Sequence, residues 1–140
     1  MKEYQNLRAR FREAALLRST EGVLGWDQET GLPPRAVEWR AEQMSYLSGL
    51  VHQLSTAPEV GEWLAVCEGM AWYEGAVEPV NVRGWRRDYD RETKLPAALV
   101  EEFSLTTSQG MHVWAEARKT SDFAAFQPVL EKLVRFCQEK

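Results

Sequence analysis

PAALVEEFSLTTSQGMHVWAEA, residues Pro96–Ala117, is the stretch that decides the fold. Leu99, Phe103, Thr107, Gly110, Trp114 and Ala117 recur in steps of three and four, which aligns them on one face of an α-helix. Pro96 suits the start of that helix, because a first-turn residue has no N–H bond to lose. Gly110 costs about 1 kcal/mol against alanine in a helix interior, so it marks a place for close approach by a neighbouring helix.

The same periodicity extends outward. Downstream, Ser121-Asp122 reads as a turn and Pro128 as the opening of a last helix with Val129, Leu130, Leu133, Val134, Phe136 and Cys137. Upstream, Val82, Trp85 and Tyr89 repeat at helical spacing after a break at Glu78-Pro79. Thr56-Ala57-Pro58-Glu59 has the form of a capping box. The helix it opens carries Val60, Trp63, Leu64, Cys67 and Ala71, with its end predicted near Gly75. Val37, Met44, Leu47, Val51 and Leu54 define another helix, and Arg40 occupies an interior-type slot from which it either snorkels or pairs with an acid. Tyr4, Leu7, Phe11 and Ala14 define the first helix, predicted to run to about Leu24. There LGWDQETGLPP interrupts the pattern with glycines, turn-favouring polar residues and a Pro-Pro pair. No segment alternates with period two for long. The expectation is an all-α fold, an antiparallel bundle of about five to six helices in one domain over residues 1–140.

Composition narrows the class. A 44% hydrophobic and 27% charged chain is an ordinary globular sequence rather than a disordered one. A formal net charge of −4 gives no general pull towards nucleic acid or anionic lipid. No run of about 18 apolar residues exists and MKEYQNLRARF is no export signal, so the expected setting is the cytoplasm. Cys67 and Cys137 then read as reduced thiols on helices, with a bridge or metal pair as the alternative. Six tryptophans are many for a thin helical layer, and any left exposed points to a contact surface.

Constellations for chemistry are sparse. Helical zinc sites of hydrolases use H-E-x-x-H, which places two imidazoles on one face with a carboxylate beside them. His52 and His112 are too far apart in sequence to form it, and the remaining local pair is His112 with Glu116. Neither cysteine carries the signature of an activated thiolate. Glu101-Glu102 and Asp27-x-Glu29 read as solvated carboxylates. Arg83, Arg86, Arg87 and Arg91 share a helical face that suits a carboxylate or phosphate, but Asp88, Asp90 and Glu92 are interleaved, which favours a salt-bridged surface. Trp26-Asp27 reads as a structural corner, with the indole buried and the carboxylate capping backbone. Catalytic, cofactor and metal residues are therefore expected to be none.

Several segments resemble one family in order. LGWDQETGLPP is similar to the W-D-x-E-T-x-x-P segment near the start of the thermostable carboxypeptidase Taq family of zinc metallocarboxypeptidases. RAEQMSYLSGLVHQL with PEVGEWL resembles the family's second and third helices. NVRGWRRDYDRETKLPAALVEEF is similar to its R-x-Y-x-x-x-T-K-L-P stretch, and SQGMHVWAEARKTSDFAAFQPVLEKLV to the helix pair that follows. Arg35, Gly31, Gly84 and Gly110 depart from the usual residues and suggest relaxed packing. The resemblance implies helices that form part of the wall or lid of a substrate cleft. It also implies zinc-dependent removal of C-terminal amino acids, and homodimers. The family's H-E-x-x-H helix and glutamate ligand lie downstream of the matched stretch, so no zinc-site residue transfers to this sequence.

The expectation is thus a non-catalytic helical domain that self-associates as a homo-oligomer, without nucleic acid or membrane partners. Its last helix is still amphipathic at Phe136 and Cys137, as in a sequence that once continued into more protein. The alternatives are a truncated or split half of an active metallocarboxypeptidase, or a module docking on a full-length one.

Overall fold

The computed structural model describes residues 1–138. The helices are α1 (Lys2–Thr30), α2 (Val37–Thr56), α3 (Pro58–Glu68), α4 (Glu78–Glu92), α5 (Ala97–Thr120) and α6 (Phe123–Gln138), with a 3-10 turn at Pro34–Ala36. The described residues contain no strand. The all-α expectation holds.

α1 is the spine, about 43 Å long at 1.5 Å per residue. It does not stop at Leu24 as the sequence suggested, but runs through Gly22 and Gly25 to Thr30. Tertiary bonds hold the distal turns. Arg40 donates to the Leu24 carbonyl at 2.6 Å and to Asp27 Oδ2 at 2.6 Å. Gln28 Nε2 donates to the Ser108 carbonyl, and Ser108 Oγ donates back to Gln28 Oε1. The helix ends at Gly31, whose N–H closes on the Asp27 carbonyl, and Pro33 then turns the chain extended.

α2 and α3 follow one another antiparallel along α1. Asp27 meets Arg40, Glu21 meets Ser48, and Arg10 meets Glu59. The kink between them is an extended Ala57 followed by Pro58 at the first helical position. No capping box forms there: Thr56 Oγ1 turns back to the His52 carbonyl, and α3 begins without a side-chain cap. Pro58 needs no cap for an N–H that it lacks. Glu59 instead pairs with Arg10.

Tyr4, Leu7, Val60, Leu64, Cys67 and Val82 form the buried core between α1, α3 and α4. Aromatic rings close it. Phe11 stacks on Trp85 at 5.1 Å, and Tyr4 meets Trp85 and Trp72 at 5.6 and 5.7 Å. α3 ends at Glu68, not near Gly75, because the Trp72 indole N–H takes the Cys67 carbonyl and folds the chain over the core. Gly75 has φ +84°, a backbone geometry that favours glycine.

α5 lies along α2, and α6 folds back on α5 through a Schellman turn. Ser121 takes the left-handed position at φ 56°, and the Asp122 N–H reaches the Ala117 carbonyl at 2.8 Å. Asp122 Oδ1 then accepts from the Ala125 N–H, so α6 starts at Phe123 with Pro128 inside it. The expected start at Pro128 is thus corrected, since the aspartate cap supplies an earlier beginning. A Cβ on Gly110 would lie 2.7 Å from Val129 Cγ1, which shows the close α5–α6 approach that a mid-helix glycine suggested. At Gly110 the packing is tight, not relaxed.

Candidate functional site

The residues singled out for chemistry are dispersed. Glu116 receives Lys119 Nζ at 2.6 Å, and this hydrogen bond, with the lysine's charge, holds its carboxyl below the ordinary range. His112 lies beside it on α5. His52 sits far along α2, 5% exposed, with Nδ1 3.4 Å from Glu92 Oε2. Among the described residues no three His, Cys, Asp or Glu side chains converge to hold a metal ion. Among the described residues the donors do not fit a zinc site.

The thiols are separated as well. Cys67 is fully buried, and burial pushes its pKa up, while Cys137 is exposed on α6. The arginine face is partly consumed by acids. Arg86 binds Glu68 through Nε at 2.8 Å and Nη2 at 3.0 Å, approaches Asp90, and lies over the Tyr89 ring. Arg87 pairs with Asp88. Glu102 pairs with Lys132, while Glu101 packs against Gly49, so these two carboxylates serve different contacts.

Trp26-Asp27 is not a corner. Both residues are helical, Trp26 is 69% exposed, and Asp27 pairs with Arg40. The sequence missed this because an acid followed by Gly and Pro-Pro reads as a local cap. The competing signal was Arg40 in an apolar slot, which needed an acid.

Polar contacts of this kind also tie α1 and α2 to each other and to α4 and α5. Arg18 approaches Glu92, which also meets His52. Ser48 Oγ contacts both Glu21 and Ser104. These groups are bonded to one another, and some also border open space: His52 lines a concavity of about 720 Å³ with Arg10, Glu13 and Glu59, and Ser48, Glu92 and Ser104 line one of about 350 Å³. Their chemistry is positional: they fix the rotation and register of α1, α2 and α5.

A further concavity lies beside the half-exposed ring of Trp114. Gln28, Glu29, Leu32, Val37, His112 and Trp114 line a groove of about 450 Å³ between the end of α1 and α5. Trp26, Trp39 and Tyr46 are each more than two-thirds exposed, and Trp114 is 48% exposed. Such a surface can bind apolar partners. It holds no nucleophile–base pair.

The model of the carboxypeptidase Taq (M32) metallopeptidase family matches residues 6–140. The chain belongs to this family. Thermostable carboxypeptidase 1 of Thermus thermophilus is 38% identical over 139 residues, which is 98% of this chain and 27% of that protein. Thermostable carboxypeptidase 1 of Pyrococcus furiosus is 30% identical, covering 90% of this chain and 25% of its own length. The chain therefore spans about a quarter of these family relatives. The crystal structure of the M32 carboxypeptidase from Deinococcus radiodurans R1 superposes with a TM-score of 0.70 at 35% identity, over 97% of this chain and 27% of that one. The BsuCP crystal structure shares the fold with a TM-score of 0.89 at 24% identity, again over 97% and 27%. The six helices are thus the N-terminal part of the family fold. Among the described residues no helix is long and apolar enough to cross a membrane.

Proposed function

We propose that this segment is a non-catalytic helical module of the carboxypeptidase Taq family that works by association, first with copies of itself, in the cytoplasm. The observation that supports this reading is the exposure of Trp26, Trp39, Tyr46 and Trp114 on helices whose opposite faces are packed. Exposed aromatic surface in a folded chain is a contact surface awaiting a partner, and a symmetric copy is the simplest partner. Sedimentation velocity over a wide concentration range tests it. A dimer or larger assembly is expected, and a monomer at every concentration overturns self-association.

A second reading has one observation in its favour. The chain is 38% identical to a carboxypeptidase over a quarter of that protein's length. In this reading it is one part of an active metallocarboxypeptidase that removes amino acids from peptide C-termini, with zinc held entirely by the remainder. Zinc-dependent release of C-terminal residues only when a polypeptide carrying H-E-x-x-H is added would favour it. No release from the pair would remove it.

A further inference from the structure

We infer that the concavity between α2, α4, α5 and α6 binds a small primary ammonium that carries a compact apolar group. The site is separate from the exposed tryptophans on which self-association rests.

The concavity measures about 350 Å³, at the small end of the range for ligand pockets. Its floor is apolar. Leu99, Val100 and Phe103 come from α5, Leu95 from the turn before it, and Phe136 closes it from α6. Its polar groups are Ser48, Ser104, Thr107 and the Glu92 carboxylate. None of the three hydroxyls keeps a proton for a ligand. Thr107 Oγ1 donates back to its own helix, 2.9 Å from the carbonyls of Phe103 and Ser104. Ser48 Oγ lies 2.6 Å from Glu21 Oε1 and 2.9 Å from Ser104 Oγ. A hydroxyl carries one proton, and the carboxylate takes that of Ser48, so Ser104 supplies the proton of the second contact. Among the described residues, every polar side chain that lines the concavity therefore presents lone pairs to it.

Glu92 adds the charge, and it is loosely held. His52 Nδ1 stands 3.4 Å from one of its oxygens and Arg18 Nη2 4.0 Å from the other. A well-made charge-assisted bond is about 2.7–2.9 Å long. Neither His52 nor Arg18 lines the concavity. Lys132, whose ammonium lies 5.6 Å from the centre of the Phe136 ring, is held by Glu102 at 2.9 Å. A ligand ammonium brings three donors to these acceptors, and its apolar body meets the leucines and the aromatic rings. A carboxylate or phosphate finds no side-chain donor here. A free amino acid is thus disfavoured against the corresponding amine, which separates this site from one for the amino acids that a carboxypeptidase releases.

Phenethylammonium, phenylalanine and 2-phenylethanol share a ring and a short stem and differ in their polar end. Each is titrated into the chain while the methyl resonances of Leu95, Leu99 and Val100 are followed by NMR. Phenethylammonium should shift these methyls and bind about tenfold or more tightly than either of the others. Glu92→Gln should remove that preference, so that amine and alcohol bind alike. Glu101→Gln loses the same charge outside the concavity and should keep it. Circular dichroism checks that both variants retain their helices. Should Glu92→Gln fail to fold, the ligand preference and the methyl shifts in the unaltered chain decide the matter on their own. The proposal is overturned if phenylalanine or the alcohol binds as tightly as the amine, or if the shifts are absent or confined to methyls elsewhere. A folded Glu92→Gln that keeps the preference overturns it too.

Discussion

Two helical glycines in this chain demand opposite things. Gly84 faces open space, with nothing within 4 Å of an added Cβ. Gly84→Ala should therefore raise stability by about 1 kcal/mol through helix propensity alone. Gly110→Ala meets Val129 Cγ1 at 2.7 Å, and a β-branched side chain gives way poorly. It should lower stability by about 1–3 kcal/mol. Urea melts of both variants check the pair, and equal shifts would contradict the packing described. Arg40 is the other residue with a large expected effect, because its guanidinium serves Leu24, Asp27 and Gln43 together. Arg40→Leu should cost about 2 kcal/mol, and Arg40→Lys should not restore it, since an ammonium lacks the planar fork. Acid acts at Glu59. A hydrogen bond from its own backbone N–H, followed by Arg10, holds its carboxyl below the ordinary 4.5. A lowered folded pKa stabilises above the unfolded value, and that contribution is lost as pH falls through the folded one. Glu59→Gln should therefore flatten the acid limb of a pH–stability curve below about pH 4.5. An unchanged limb would assign acid sensitivity elsewhere.

Helix ends carry the differences between sequence and structure. Periodicity located every helix, because Leu7, Leu64, Val82 and Phe136 each sit in a repeating apolar stripe that leads to burial. The ends were less legible. At Leu24 the local cues of Gly, Asp and Thr favoured a turn, yet Arg40 and Ser108 hold the same residues helical from other elements. Thr56 and Glu59 had capping spacing, but Ala57 is extended and the threonine hydroxyl was closer to its own preceding turn. Pro128 suggested a helix start, and Asp122 provided a better one. The turn at Ser121 invites a direct test. A serine at φ 56° is strained where glycine is at ease. Ser121→Gly should thus stabilise by roughly 0.5–1 kcal/mol, read as a higher melting temperature. A lower one would show that the Schellman turn is not what joins α5 to α6.

Across the whole molecule, family and fold were legible because four sequence segments fall in order on one continuous helical framework, matched over residues 6–140. The open faces were not. Burial depends on which side of each helix meets a neighbour, so the exposure of Trp26 emerged only with the tertiary arrangement. The proposal built on these faces is a module whose own work is association. A native mass spectrum of the purified chain, equilibrated with zinc and then with a chelator, tests this most directly. The account predicts an assembly whose mass and subunit number do not respond to either treatment. One zinc bound per chain and removed by the chelator would contradict it, and would direct attention to His112 and Glu116.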